Sequence, residues 1–205
     1  MNLYEEKNHS WWSWVWPILL GLAVALCFRL FVGSVVKVDG PSMQPNLQNN
    51  ERVFCWKLDK IKRGRVIVFN AYGVDPQATG KIDYVKRVIA LPGDTVKSEN
   101  GKLYVNNKLV NQNYISKYQR DQGTGDWTLP ELGLEHNWQR HQNSVKVPKG
   151  EYFVLGDHRS VSNDGRYIGF VPKSKILGVV KVPAWTSTET QRQNVNNQDD
   201  HFWKE

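Results

Sequence analysis

The pattern of apolar positions changes character once along the chain. Residues 11–28 read WWSWVWPILLGLAVALCF, eighteen positions without a charge. Arg29 interrupts, and LFVGSVV carries the apolar character on to Val36. About 20 mostly apolar residues cross the hydrocarbon core of a bilayer as a helix, and an arginine near the end can lift its head group to the interface. Trp11, Trp12, Trp14 and Trp16 suit a boundary belt, where amphipathic rings settle at head-group depth. Pro17 falls where the first turn of a helix tolerates it. The pattern predicts one transmembrane anchor over 11–36, preceded by a short flank over 1–10. A cleaved secretory signal and a buried core helix are the competing readings; Gly33 and Ser34 are small, but the apolar stretch is long for a signal, and a core helix rarely lacks charges for eighteen residues.

Beyond Val36 the rhythm shortens to strands and turns. VIVF at 66–69 is a compact apolar run behind Lys62-Arg63-Gly64-Arg65, and it predicts a buried strand. IDYVKRVIAL at 82–91 is rich in strand formers and stops at the turn signal Pro92-Gly93-Asp94. The runs 102–105 and 108–110 flank Asn106-Asn107, a two-residue hairpin turn. Residues 152–155 and 176–182 add two more strands. Strands at this spacing without long amphipathic helices predict a mostly β domain over 37–185. Within it, 111–144 is polar and reads as an insertion or long loop. The tail 186–205 is polar enough to predict disorder.

Composition bounds the possibilities. The 205 residues allow one ordinary domain and an appendage, with 40% hydrophobic and 23% charged residues. A mean hydropathy of −0.54 excludes a multi-span membrane protein. Cys27 and Cys55 are too few for a disulfide framework or a four-thiolate zinc site. The net charge of +7 favours anionic surroundings, and it is densest over 52–87, where nine Lys or Arg face Asp59, Asp75 and Asp83. No helix-turn-helix, zinc-finger or RNP-like pattern accompanies it, so nucleic acid is not an expected partner. Charges flanking the anchor (Lys7 before it, Arg29 and Lys37 after) leave its orientation open.

The chain has no HExxH, CxxC, P-loop or GxGxxG, so neither a metal nor a cofactor is expected. Three segments remain. In VDGPSMQPNL at 38–47, Gly40, Pro41 and Pro45 constrain the backbone around Ser42. Such a serine is either a turn residue or a nucleophile whose rigid turn aims a backbone N–H at a developing oxyanion. On the strand at 82–91, Ile82, Tyr84, Lys86, Val88 and Ala90 share one face, with Lys86 its only charge. The other face carries Asp83 and Arg87, which can partly compensate each other. Lys86 either reaches water at a sheet edge or lies buried with a depressed pKa. Holding an ordinary lysine neutral at pH 7 costs about 4.6 kcal/mol, much of which burial can supply, leaving an amine able to act as a general base. The third segment, GDHRSVSNDGRYIGF at 156–170, alternates acids, bases and a hydroxyl around glycines, as a solvated loop or a buried hydrogen-bonded network would.

Together and in this order, VDGPSMQPNL, RGRVIVF, YVKRVIALPGD and GDHRSVSNDGR resemble the conserved boxes of type I signal peptidase, the bacterial leader peptidase, in its single-span Gram-positive form. The resemblance implies a signal-peptidase-like β-barrel or sheet domain with a polar insertion, behind one transmembrane helix. It implies that Ser42 attacks the scissile carbonyl, that Lys86 is the general base, and that Ser162 orients the amine. Asp164 and Arg166 would be a supporting ion pair, with Asp157 and Arg159 as scaffold of the same box. The substrates implied are secretory precursors, cleaved after small residues at −1 and −3, beside membrane phospholipids on the extracytoplasmic side of the cell membrane. Pocket walls are expected from residues flanking Ser42 and from 82–86. Four positions depart from the family pattern: Gly40 where some members carry a hydroxyl, Asn46 for the common threonine, His158 for asparagine, and Gly165 for serine. His158 introduces a rival base and hence a Ser–His–Asp alternative. A self-cleaving repressor would carry a DNA-binding module in place of the anchor, and a wall-binding module would show no turnover.

Overall fold

The computed structural model describes residues 11–204, so the flank expected at 1–10 lies outside it. Helix α1 (Trp12–Cys27) runs on through wider π-helical turns at Phe28–Val32. Together they form a 21-residue, predominantly apolar helix containing an 18-residue stretch of mean hydropathy 2.2, none of it buried against protein. At about 1.5 Å per residue this helix is about 32 Å long, the thickness of a hydrocarbon core. A helix that is apolar all round and covered by no protein needs an apolar solvent, so it is compatible with a single membrane span. Lys57 Nζ donates to the carbonyls of Arg29 and Leu30 at 3.0 and 2.9 Å, satisfying acceptors that the helix end leaves open.

The apolar helix stops four residues short of the expected Val36. Gly33 opens strand β1 (Gly33–Lys37), which pairs antiparallel with β2 (Arg52–Trp56) in the register Gly33 to Trp56 and Lys37 to Arg52. The branched Val35 and Val36 suit a pleated surface, and β2 pairs with the strand along one edge. Neither β1 nor β2 was expected as a strand.

The domain is mostly sheet, as its pattern predicts. The remaining strands are β3 (Val66–Asn70), β4 (Asp83–Ala90), β5 (Val96–Glu99), β6 (Lys102–Val105), β7 (Lys108–Leu109), β8 (Trp127–Thr128), β9 (Glu151–Leu155), β10 (Val171–Pro172) and β11 (Ile176–Lys181). They form a seven-stranded sheet, β1-β2-β11-β3-β4-β9-β10, and a four-stranded sheet, β7-β6-β5-β8. All named pairings are antiparallel. Asn106 and Asn107 both adopt positive φ, 51° and 62°, which is what a tight hairpin turn between β6 and β7 requires.

Strand β4 is central and buried on both faces. Val85 packs with Met43, Leu47, Val53 and Val66 on one side, whereas Tyr84 and Val88 pack with Ile67, Phe69 and Val154 on the other. A bulge between Val88 and Ala90 then breaks the alternation, and Ile89 and Ala90 both enter the cluster beneath the second sheet. Ala90 therefore does not continue the Lys86 face, contrary to strict period-two reading.

The segment 111–144 is no plain loop. It holds α2 (Lys117–Asp121), β8 and α3 (Leu129–Glu135), the last opened by a capping box between Thr128 and Glu131. Trp127, Leu129, Leu132 and Trp138 are buried in the cluster of the second sheet. Two tryptophans bring enough apolar area to offset the poverty in branched residues. A one-turn helix α4 (Gly165–Ile168) falls between β9 and β10. The disorder expected over 186–205 does not hold for the described part, 186–204. Helix α5 (Glu189–Asn196) is capped by Thr188, with Val195 and Phe202 buried. Composition missed it because two apolar anchors and hydrogen bonds to buried groups suffice to dock a polar segment.

Candidate active site

The loop between β1 and β2 presents Ser42. Gly40 takes φ 85° and donates its N–H to Asn49 Oδ1, while the N–H groups of Asn46 and Leu47 close onto Met43 O at 3.0 Å. Met43 and Leu47 are fully buried and pin this loop to the sheet. Ser42 O accepts from His158 N–H at 3.0 Å, tying the loop to the segment after β9.

Lys86 enters from β4, opposite Ile67 of β3. It is only 4% exposed, and Nζ lies 2.8 Å from Ser42 Oγ, 3.1 Å from Val85 O and 5.1 Å from the Tyr84 ring centroid. Burial lowers its pKa from the ordinary 10.5 to about 8, against the opposite pull of Asp164, Asp157 and Asp75. The sheet-edge alternative for this lysine does not hold: β4 lies between β3 and β9.

The segment after β9 lines the same site. Ser162 is buried, and its Oγ has no hydrogen-bond partner among the described residues. A Cβ on Gly156 would come 2.1 Å from Ser162 Oγ and 2.6 Å from Ser42 O, so a glycine is needed where these two segments converge. Asp164 accepts from Gly156 N–H at 2.9 Å and from Arg166 Nε and Nη2 at 2.9 and 3.0 Å. Burial opposes its ionisation, yet the Arg166 charge and these hydrogen bonds hold its carboxyl below the usual range.

Asp157 is the partner of Arg87, which approaches it through Nε and Nη2 at 2.8 and 2.7 Å with both residues fully buried. The compensation of Arg87 by Asp83 expected from strand periodicity does not occur, because Asp83 is exposed at the strand end. Arg159 has no carboxylate at hydrogen-bond distance among the described residues. It donates to Gly156 O, Gln112 Oε1, Thr124 Oγ1 and Tyr114 OH at 2.8–3.1 Å, three of them from the expected insertion. His158 is half-buried, and its Nδ1 faces Pro41 O at 3.3 Å.

Sequence reasoning missed several participants. Asn46, noted only as a departure, is 1% exposed and donates to Asp157 Oδ2 and Tyr114 O, each at 2.8 Å. Asp75 accepts from Tyr84 OH and Asn163 Nδ2, each at 2.7 Å, and so braces the ring beside Lys86. Neither carried a signal beyond being a polar residue in a turn-rich stretch. Among the described residues no three His, Cys, Asp or Glu side chains gather as a metal-holding group.

Comparison with known proteins assigns the class. A family model described as Signal peptidase, peptidase S26, matches residues 11–185, so the chain is a hydrolase of the peptidase kind. Signal peptidase I of Bacillus caldolyticus is 38% identical over 193 residues, covering 90% of this chain and 95% of that one. Signal peptidase I of Bacillus amyloliquefaciens is 34% identical over 182 residues, covering 86% of each. A solved signal peptidase I from Enterococcus faecalis is 33% identical and covers 60% of this chain and 98% of its own, with a TM-score of 0.49. The chain belongs to the signal peptidase family.

Proposed function

We propose that this peptidase is anchored in the cell membrane by 12–32 and cleaves signal peptides from exported precursors with Ser42 as nucleophile and Lys86 as general base. The observation that carries the reading is the 2.8 Å separation of Lys86 Nζ from Ser42 Oγ on a lysine whose burial lowers its pKa to about 8. At that value about a tenth of the amine is neutral at pH 7, against less than about a thousandth for an ordinary lysine. The neutral amine takes the Ser42 hydroxyl proton as Oγ adds to the scissile carbonyl. The resulting ammonium then protonates the leaving amine, and the freed lysine later deprotonates the water that hydrolyses the acyl-enzyme.

The surrounding groups have roles consistent with this chemistry. The Ser42 N–H is an oxyanion donor, and the Ser162 hydroxyl, which makes no hydrogen bond to Lys86 Nζ in this structure, is free to turn toward the amine and orient it during the reaction. Asp164 with Arg166, and Asp157 with Arg87, hold the frame, while Arg159 supports it through neutral partners. The catalytic domain works on the extracytoplasmic side, beside lipid head groups. Only 33–41 separate the apolar helix from Ser42, so the site stays near the bilayer, where the apolar part of a precursor's signal peptide resides. Small residues at −1 and −3 are preferred.

The test is cleavage of a purified precursor by the full chain in detergent. Ser42→Ala and Lys86→Ala each abolish turnover without unfolding the domain, and His158→Ala keeps much of it. Substantial turnover by either of the first two variants defeats the assignment; complete loss in the third moves the base to His158.

A further inference from the structure

The family match ends at residue 185, and the segment that follows docks on the back of the proposed site. Helix α5 lies along β11 and reaches the nucleophile loop at two places. Gln191 Nε2 donates to Pro45 O at 2.6 Å, and Asn194 Nδ2 donates to Asn46 Oδ1 at 2.9 Å. Asn194 also touches the lysine strand, because its backbone carbonyl accepts from Arg87 Nη1 at 2.8 Å. One residue thus grips both the fourth position after Ser42 and the position after Lys86.

The rest of the segment is anchored on either side of that grip. Ser187 bonds to Glu51 before it. After it, Asp199 pairs with Lys62 and Arg65 at 2.9 and 2.8 Å. Farther on, Phe202 is buried under the second sheet, and Trp203 bridges Val110. Gly64 makes room for this path: a Cβ there would meet Gln198 backbone at 2.9 Å. The segment therefore spans both sheets while its middle holds the two catalytic-site segments together.

We propose that 186–204 is a positioning strap for the reaction, with Asn194 its central residue, acting through Asn46 on the Ser42 loop and through Arg87 on the Lys86 strand. The inference rests on the Ser42/Lys86 reading. Asn46 donates both its amide hydrogens inward, to Asp157 and Tyr114, and accepts from the Asn194 amide, so Asn194 completes its hydrogen bonds and ties this buried side chain of the Ser42 loop to the strap. Without that bond the loop can drift relative to the lysine, and misplacement of a reacting atom by about 1 Å costs up to about 100-fold in rate.

The experiment compares Asn194→Ala with Leu103→Val in the full detergent-solubilised chain, at a temperature where both are folded. Leu103 is fully buried in the cluster that also takes Phe202, but it makes no hydrogen bond to Asn194, Asn46 or Arg87, so its variant lowers stability without cutting the central grip. Asn194→Ala is expected to lower kcat for precursor cleavage about tenfold with KM within about twofold. Leu103→Val keeps kcat at the parent value despite a lower Tm. In an Asn46→Ala background, Asn194→Ala adds little further loss, because its partner is already gone. A parent-like kcat in Asn194→Ala, or full additivity with Asn46→Ala, overturns the strap. Ser42→Ala is measured beside them: turnover there overturns the catalytic reading itself, whereas an inactive Ser42→Ala with an unaffected Asn194→Ala removes only the strap.

Discussion

Lys86→Met is expected to stabilise the protein while removing its activity. The lysine is 4% exposed and its pKa falls from 10.5 to about 8, chiefly through burial. At about 1.4 kcal/mol per pH unit, that shift amounts to about 3 kcal/mol by which the charged lysine disfavours the folded state at neutral pH. Between pH 8 and 10.5 the unfolded chain binds more protons at this position than the folded chain does. Stability of the parent therefore rises through that window and is diminished as pH falls through the folded value. Methionine fills a similar volume without the charge. It gives up the hydrogen bonds to Ser42 Oγ and Val85 O, an offset of about 1 kcal/mol, leaving a net gain of about 2 kcal/mol at pH 7. For a chain of this size that gain raises Tm by about 4–8 °C. The assay is thermal unfolding of both proteins in detergent at pH 7 and pH 10.5, followed by tryptophan fluorescence. Taking the difference between parent and variant cancels the titration of other groups, such as Tyr84, whose pKa is raised to about 12 by burial and the hydrogen bond to Asp75. The advantage of Lys86→Met should fade as pH rises from 8 to 10.5. A difference that stays constant across that range would falsify the depressed lysine, and with it the proposal that this amine acts as a base.

Two structural predictions follow from the same frame. Asp157→Leu leaves Arg87 fully buried without its bidentate partner and is expected to cost about 3–5 kcal/mol, read as a lowered denaturation midpoint; a loss below about 1 kcal/mol contradicts a buried pair. Gly156→Ala drives a methyl into Ser162 Oγ and Ser42 O, so precursor cleavage should fall at least about 100-fold, and parent-like activity would show that the two segments are not held this close.

The sequence was legible where one local rule decides. A charge-free run identifies the apolar helix because every turn of it must satisfy the same solvent, and Asn106-Asn107 specifies a hairpin because few residues accept positive φ twice in succession. Period-two alternation put Lys86 on an apolar face with Tyr84 and Val88, and that part of the strand behaves so. It failed at Ala90, where a bulge shifts the register, a feature decided by pairing with β9 and invisible in β4 alone.

Determined by the chain alone, then, were the mostly β class, the apolar helix, and the three segments whose residues meet at Ser42 and Lys86. Tertiary structure decided which charges pair. Arg87 passes over its nearby Asp83 for Asp157, seventy residues away, because only that carboxylate is buried with it. It also decided that a polar tail folds and that Asn194 joins the Ser42 loop to that tail. Burial and long-range partners fix these outcomes: a side chain's charge state and its hydrogen bonds depend on what packs over it, and that neighbour is set by the fold and not by adjacent letters.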